Sequence, residues 1–127
     1  MSTIQVNAIQ SSTGTQEVTQ TTIFSGTAKA WSNLNGTGTI AERDSFNISG
    51  YVDNGTGNYT FTIANDMGDT NYGGHGNCDR IIDTTNATEG CQYANILAGS
   101  QDFICVSATP TADDQAMVLM SILGDLA

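Results

Sequence analysis

The sequence predicts an all-β protein, and two observations indicate this fold class. First, residues 26–63 divide into three short strands separated by glycine-containing turns, and apolar and polar residues alternate on both sides of the motif NGTGN at residues 54–58. Second, residues 116–123 are apolar almost throughout. Alternation with period two is typical of strands with one buried face, and a short apolar run fits a fully buried strand.

The clearest single element is a β-hairpin around residues 54–58. Phe46, Ile48 and Tyr51 alternate with polar residues or glycine before this motif, and Tyr59 and Phe61 alternate with threonine after it. An Asn-Gly pair tolerates positive φ at both central positions of a tight turn, and the second glycine allows a longer loop or a bulge. We therefore expect one strand before the motif and one after it.

The rest of the chain predicts a long loop followed by further strands. Residues 65–76 contain a dense set of turn formers and predict the loop. Strands are predicted at residues 80–82, 93–97 and 103–106. Residues 116–123 fit either a buried strand or a short helix by periodicity. We predict a strand, because residues 110–114 read as a turn that returns from the preceding strand.

Motifs that cover about the middle third of the chain resemble the distal domain of phage tail-fibre and virion-fibre proteins. The motifs are GTAKAW at residues 26–31, NGTGT at 35–39, RDSFN at 43–47, and the later pair Asn71-Tyr72. The two ends, MSTIQVN at residues 1–7 and GDLA at 124–127, extend the similarity. This resemblance implies a small antiparallel β-sandwich or jelly-roll-like head with an extended N-terminal arm, assembled as a homotrimer. It also implies a role in the virion and a final strand near the C-terminus.

The N-terminal segment differs in composition from the body, and we expect residues 1–22 to form an arm and residues 23–127 the head domain. Ile4, Val6 and Ile9 are the early apolar positions in this polar stretch. One interpretation is a disordered tail. The other, motivated by the resemblance, is an extended segment that pairs with its copies in a trimer or docks onto another virion protein.

Charge limits the classes of partner. Three basic and thirteen acidic residues give a formal net charge of −10 at pH 7, which argues against nucleic acid or an anionic membrane as a direct partner. No apolar run reaches the length of a membrane span, and the first twenty residues lack the pattern of a signal peptide. We expect synthesis in the cytoplasm of a host bacterium and a final place in the virion.

Three cysteines and one histidine are the candidates for redox or metal chemistry. An odd cysteine count fits reduced thiols better than a disulfide framework. Cys105 lies in an apolar run, so we predict that it is buried and acts as a small apolar residue. Cys78 and Cys91 are placed so that they could face each other across a hairpin and oxidise. His75, Cys78 and Cys91 have a metal-like spacing but do not supply four zinc ligands, so the sequence predicts neither a metal site nor a cofactor.

The sequence predicts no enzyme, because the single histidine has no recognisable partner motif and no pair of carboxylates stands out. Trp31 is the lone tryptophan. We predict that it anchors the core or an interface, and the alternative is that it serves as a platform on which a sugar stacks. Asn71, Tyr72 and His75 lie in the predicted glycine-rich loop and are the receptor-binding candidates, because loops on rigid scaffolds often carry recognition.

Three functions follow as hypotheses. The first is a short trimeric tail or capsid fibre that displays its β-domain for attachment to a host surface glycan or protein. The second is a capsid decoration protein that binds no receptor. The third, from a different class, is a stand-alone carbohydrate-binding or adhesin module.

Overall fold

Strands dominate the computed structural model, which describes residues 6–79, 90–106 and 111–127, and the all-β prediction is confirmed. The described residues form ten strands and one short helix. In chain order they are β1 (Ala8–Gln10), β2 (Glu17–Thr19), α1 (Gln20–Gly26), β3 (Ala28–Asn35), β4 (Ala41–Phe46), β5 (Ile48–Asp53), β6 (Asn58–Ile63), β7 (Gly73–Asp79), β8 (Gly90–Leu97), β9 (Ser100–Val106) and β10 (Met117–Leu123).

Eight of these strands form two four-stranded antiparallel sheets. Sheet I has the order β4-β3-β10-β7, and sheet II has the order β5-β6-β9-β8. The strand β10, the last in the sequence, lies between β3 and β7, so the C-terminal apolar run holds sheet I together. The predicted strands at residues 93–97, 103–106 and 116–123 correspond to β8, β9 and β10 and are confirmed. The strand predicted at residues 80–82 lies outside the described residues.

The core consists of the facing sides of the two sheets. Burial alternates along β6 and β9, as expected for strands with one covered face. The rings of Tyr51, Phe61, Phe103 and Tyr93 follow one another edge to face, with centroids 5.4, 6.2 and 5.2 Å apart. Each such pair adds about 0.5–1.5 kcal/mol beyond the burial of its area. We call the buried side of each sheet its inner face and the opposite side its outer face.

The predicted hairpin is confirmed, although its turn differs from the expected one. Strands β5 and β6 pair across it, and the Asn54 N–H donates to the Asn58 carbonyl at 2.9 Å. Positive φ occurs at Gly55 and Gly57, not at Asn54. Gly57 is required for a second reason, since a Cβ there would lie 2.6 Å from the main-chain nitrogen of Asp113.

The strand predicted before this turn is divided in two. Strand β4 ends at Phe46 in sheet I, whereas β5 begins at Ile48 in sheet II, so residues 26–63 contain four strands and not three. Asn47 joins them with a φ of 57°. This left-handed conformation turns the chain from one sheet into the other. The alternation of apolar and polar residues along the strands does not predict such a turn.

The N-terminal segment is not one extended arm. Strands β1 and β2 pair as a small hairpin, and α1 follows directly, with Thr19 as its N-cap accepting from the Thr22 N–H. The helix crosses the boundary predicted between residues 22 and 23, and sheet I begins only at Ala28.

The long loop predicted for residues 65–76 ends earlier than expected. Strand β7 begins at Gly73, so His75 lies within a strand. The segment GGHGNCD, with three glycines among polar residues, has a weak intrinsic strand propensity, so its pairing with β10 is what makes it a strand.

Candidate functional site

A groove of about 460 Å³ crosses the outer face of sheet I. Two cross-strand rows line it on β3, β10 and β7. The pairing register aligns Trp31, Ser121 and His75 in one row and Asn33, Leu119 and Asn77 in the next.

The shape of this groove follows from the side chains in the first row. Trp31 and His75 are separated by one intervening strand, and two strand spacings amount to about 10 Å. The residue between them, Ser121, is small, so the middle of the row is low and its ends carry rings. The result is a shallow channel with an aromatic wall, an imidazole wall and a hydroxyl between them.

Trp31 is a surface residue, because it is 37% exposed while its neighbours Ala30 and Ser32 are buried. Trp31 is therefore not a core anchor, as one part of the prediction had it, whereas an interface anchor stays a prediction. Trp31 pairs with Phe46 of β4, another exposed ring on the outer face. Trp31 lines the groove, and Phe46 lies beside it on the neighbouring strand, outside the groove.

Polar groups in the groove are held by local hydrogen bonds. The Arg43 guanidinium donates to the Asn33 side-chain oxygen at 3.2 Å, which orients the amide. The Ser121 hydroxyl donates to the main-chain carbonyl of His75 at 3.4 Å. Fixed amide and hydroxyl groups beside an aromatic ring suit a ligand with both polar edges and an apolar face.

The three receptor-binding candidates do not lie together as one loop. The Asn71 main-chain N–H and side-chain amide both donate to Asp69, and these bonds lower the pKa of that carboxyl. The Tyr72 hydroxyl donates to the Leu97 carbonyl at 2.9 Å, and burial raises its pKa. Of the three, His75 alone lines the groove.

Sequence reasoning missed the remaining groove residues. Leu119 and Ser121 lie in an apolar strand that reads as wholly buried, and the alternation along β10 shows only when its partners are known. Asn77 follows glycine in a segment that was expected to contribute no strand. Trp31 and His75 were the two groove residues that the sequence singled out.

The three cysteines form a second cluster on the inner faces of the sheets. Their sulfur atoms all lie within 4.8 Å of one another, and Cys105 is fully buried. Cys78 therefore does lie beside Cys91, although the two are on strands of different sheets and not across a hairpin as the sequence interpretation had it, and Cys105 lies beside both. His75 points to the outer face, because it is three positions before Cys78 on the same strand. The set of His75, Cys78 and Cys91 is thus not brought together.

The N-terminal hairpin and helix expose apolar side chains. Ile9 and Val18 are cross-strand partners and are both exposed, and Phe24 of α1 is 60% exposed. The ring of Phe24 lies 5.9 Å from the Lys29 ammonium group, which links α1 to the start of β3. Val6 is also exposed, and Ile4 lies outside the described residues.

Comparisons with protein-family models, with curated proteins and with solved structures found no match to this chain. Within the described residues, no helix has the length and apolar character that crossing a bilayer requires. The features of the molecule that bear on its function are the groove, the cysteine cluster and the N-terminal segment.

Proposed function

We propose that this chain is a bacteriophage virion protein, a short trimeric fibre of the tail or capsid whose two sheets act as a β-sandwich head for attachment to the host surface. The N-terminal segment joins copies of the chain and binds other virion proteins. The observation that carries this proposal is the exposed apolar surface of residues 6–26, which has the character of an unpaired assembly element.

The segment buries too little of its own surface to be stable alone. No residue of α1 is buried, and the hairpin has only three paired residues on each strand. An isolated two-stranded hairpin is marginal in water, and clustered exposed apolar side chains mark interaction surfaces. Packing against copies of itself would cover Ile9, Val18 and Phe24 together.

The oligomeric state tests the proposal. Light scattering on the purified full chain is expected to give three times the protomer mass of 13.3 kDa. The double substitution Ile9→Ser and Phe24→Ser is expected to give monomers with a folded head. The matched control, Val52→Ser with Leu97→Ser, changes equally exposed side chains of sheet II and should leave the trimer intact. A monomeric wild-type protein at micromolar concentration would contradict a self-assembling fibre.

Attachment is assigned to the groove on sheet I, and its chemistry favours a neutral saccharide. Stacking on Trp31 suits the apolar face of a sugar ring, while the side chains of Asn77, His75 and Ser121 suit its hydroxyl groups. The net charge of −10 disfavours anionic polysaccharides.

Glycan-array binding separates the three hypotheses. Binding by the trimer that is lost in Trp31→Ala and kept in Val52→Ala supports an attachment fibre. Binding of the same kind by a monomer supports the stand-alone carbohydrate-binding module, which the groove also favours. If the trimer binds no glycan and immuno-electron microscopy locates it on the capsid, the result supports the hypothesis of a capsid decoration protein.

We propose a non-catalytic role. Two acidic side chains act as structural acceptors: Asp114 accepts from the Gly57 main-chain N–H at 2.7 Å, and Asp102 accepts from Thr60 and Asn95 at 2.5 Å each. Such carboxylates are engaged in the fold and are poorly placed for acid–base work. Incubation with capsular polysaccharide should leave the chain length of the substrate unchanged, and shortening of the substrate would contradict this.

A further inference from the structure

Three cysteines from three different strands meet at one point between the sheets. Cys91 and Cys105 are directly opposite each other on β8 and β9 of sheet II. Cys78 comes from β7 of sheet I, where it is paired with the buried Val118. The strands β7 and β8 are edge strands of their sheets, so the cluster lies where the two edges approach each other.

The main chain holds the innermost cysteine firmly. The Cys105 N–H donates to the Gly57 carbonyl at 2.7 Å, and the Cys105 carbonyl accepts from the Asp113 N–H at 3.1 Å. Its side chain is fully buried, whereas Cys78 and Cys91 are half-buried. The cluster therefore has one fixed buried sulfur and two sulfurs that are partly open to solvent.

A disulfide uses only part of this arrangement. All three sulfur atoms lie within 4.8 Å of one another, yet a sulfur atom can form only one disulfide bond. Any disulfide therefore leaves the third thiol unused at the same point. Coordination of one cation uses all three sulfurs.

We infer that the reduced side chains of Cys78, Cys91 and Cys105 form a three-thiolate site for a thiophilic d¹⁰ cation, Cu⁺ or Zn²⁺. Soft thiolate ligands select these ions among the common biological metals. Three sulfurs complete a trigonal Cu⁺ site, whereas Zn²⁺ would take a water molecule as its fourth ligand. The bound ion would link β7 of sheet I to β8 and β9 of sheet II.

Proton release accompanies binding. Each thiol that becomes a ligand loses its proton, so one cation releases up to three protons and its affinity falls as the pH decreases. This site is independent of the proposed attachment function, because it lies on the inner faces while the groove lies on the outer face of sheet I.

The test uses the full chain, reduced with a phosphine and kept free of oxygen. Zn²⁺ and Cu⁺ are titrated separately against chromogenic chelators, and Co²⁺ is used as a spectroscopic probe of thiolate coordination. We expect one equivalent of metal per chain, a sulfur-to-cobalt charge-transfer band, and an increase in the melting temperature that a chelator reverses.

Single substitutions then test each ligand. Cys78→Ser, Cys91→Ser and Cys105→Ser are each expected to weaken binding by more than about 100-fold. The matched control is His75→Ala on the same strand as Cys78, which should leave the affinity unchanged because its side chain faces outward. If Cys105→Ser does not fold, Cys105→Ala replaces it. The cobalt spectrum of the wild-type protein tests thiolate coordination directly and does not require any variant to fold.

Several results would overturn the inference. One is the absence of stoichiometric binding by the reduced chain. Another is a cysteine variant that binds with wild-type affinity. A third is a protein that keeps a disulfide and one alkylatable thiol under the reducing conditions, since this would show that the cluster is an oxidised crosslink with a spare cysteine.

Discussion

The side-chain oxygen of Asn47 accepts the main-chain N–H of Asn65 at 2.8 Å, which joins the start of β5 to the residues after β6. The Asn47 amide nitrogen donates in turn to the carbonyls of Lys29 and Asn65. Asn47 is also the residue with positive φ at the junction where the chain passes from β4 in sheet I to β5 in sheet II. Its backbone conformation and its hydrogen bonds therefore both stabilise this junction.

Substitution of Asn47 separates these two contributions. Asn47→Ala loses the hydrogen bonds and strains the left-handed backbone, so we expect the free energy of unfolding to fall by about 2–4 kcal/mol. Asn47→Gly loses the same bonds but accepts positive φ, and about 1–2 kcal/mol is expected. Urea denaturation measures both. Equal losses in the two variants would show that backbone conformation contributes nothing at this position.

This junction also shows what sequence reasoning could and could not predict. The alternation along Tyr59 and Phe61 predicted β6 because each apolar residue there faces the core. Phe46 and Ile48 fit the same period, yet they belong to different sheets. A period-two pattern predicts which face of a strand a side chain occupies, but not which sheet the strand belongs to. A single asparagine with positive φ between two apolar residues does not interrupt this pattern, so the change of sheet cannot be detected from it.

The candidate site was harder to predict from the sequence than the fold, for a similar reason. Trp31 stood out by its chemistry, but its exposed position depends on which of its neighbours face the core. The groove exists only because β7 pairs with β10, which places His75 and Ser121 side by side. Such non-local pairing is decided by tertiary packing, and residues 73–79 have weak strand propensity of their own.

Two tyrosines with buried hydroxyl groups, Tyr59 and Tyr93, are expected to respond differently to loss of the hydroxyl. The Tyr59 hydroxyl donates to the Gly36 carbonyl and is also 3.0 Å from an Asp114 carboxylate oxygen, whereas the buried Tyr93 hydroxyl has no hydrogen-bond partner among the described residues. Tyr59→Phe should therefore lower the free energy of unfolding by about 1–3 kcal/mol. Tyr93→Phe should leave it unchanged or raise it slightly, since it removes a buried unpaired polar atom. Thermal and urea denaturation of the two variants provide the comparison, and a larger loss in Tyr93→Phe would contradict it.

Alkaline pH is expected to destabilise the protein through the same residues. Burial raises the pKa of Tyr59, with a further contribution from Asp114, and burial also raises the pKa of Tyr93. A tyrosine with a raised pKa in the folded state contributes stability that is fully present below its unfolded pKa of about 10 and is lost as the pH rises through the folded pKa.

Unfolding free energies measured from about pH 9 to about pH 11 should thus decline above about pH 10, by up to about 1.4 kcal/mol per pH unit for each such tyrosine. The double variant Tyr59→Phe and Tyr93→Phe should show a shallower decline. The cysteine thiols are the same in both proteins, so their titration cancels in the comparison. Parallel curves for the two proteins would reject the assignment.

The final prediction concerns the close approach of the two sheets at Gly76. A Cβ at this position on the inner face of β7 would collide with the ring of Phe103 and would lie 2.8 Å from the Leu119 carbonyl oxygen. Because the carbonyl belongs to the neighbouring strand and the ring to the packed core, neither can move without loss of packing.

We therefore expect Gly76→Ala to cost about 1–3 kcal/mol or more in unfolding free energy. Gly73→Ala on the same strand is the matched control, because its Cβ would meet only the Leu123 carbonyl at an ordinary 3.8 Å. That substitution should be neutral or stabilising by up to about 1 kcal/mol through the unfolded chain. If the two variants unfold at the same urea concentration, β7 does not lie against Phe103, and the pairing that forms the groove and places Cys78 beside Cys105 loses its support.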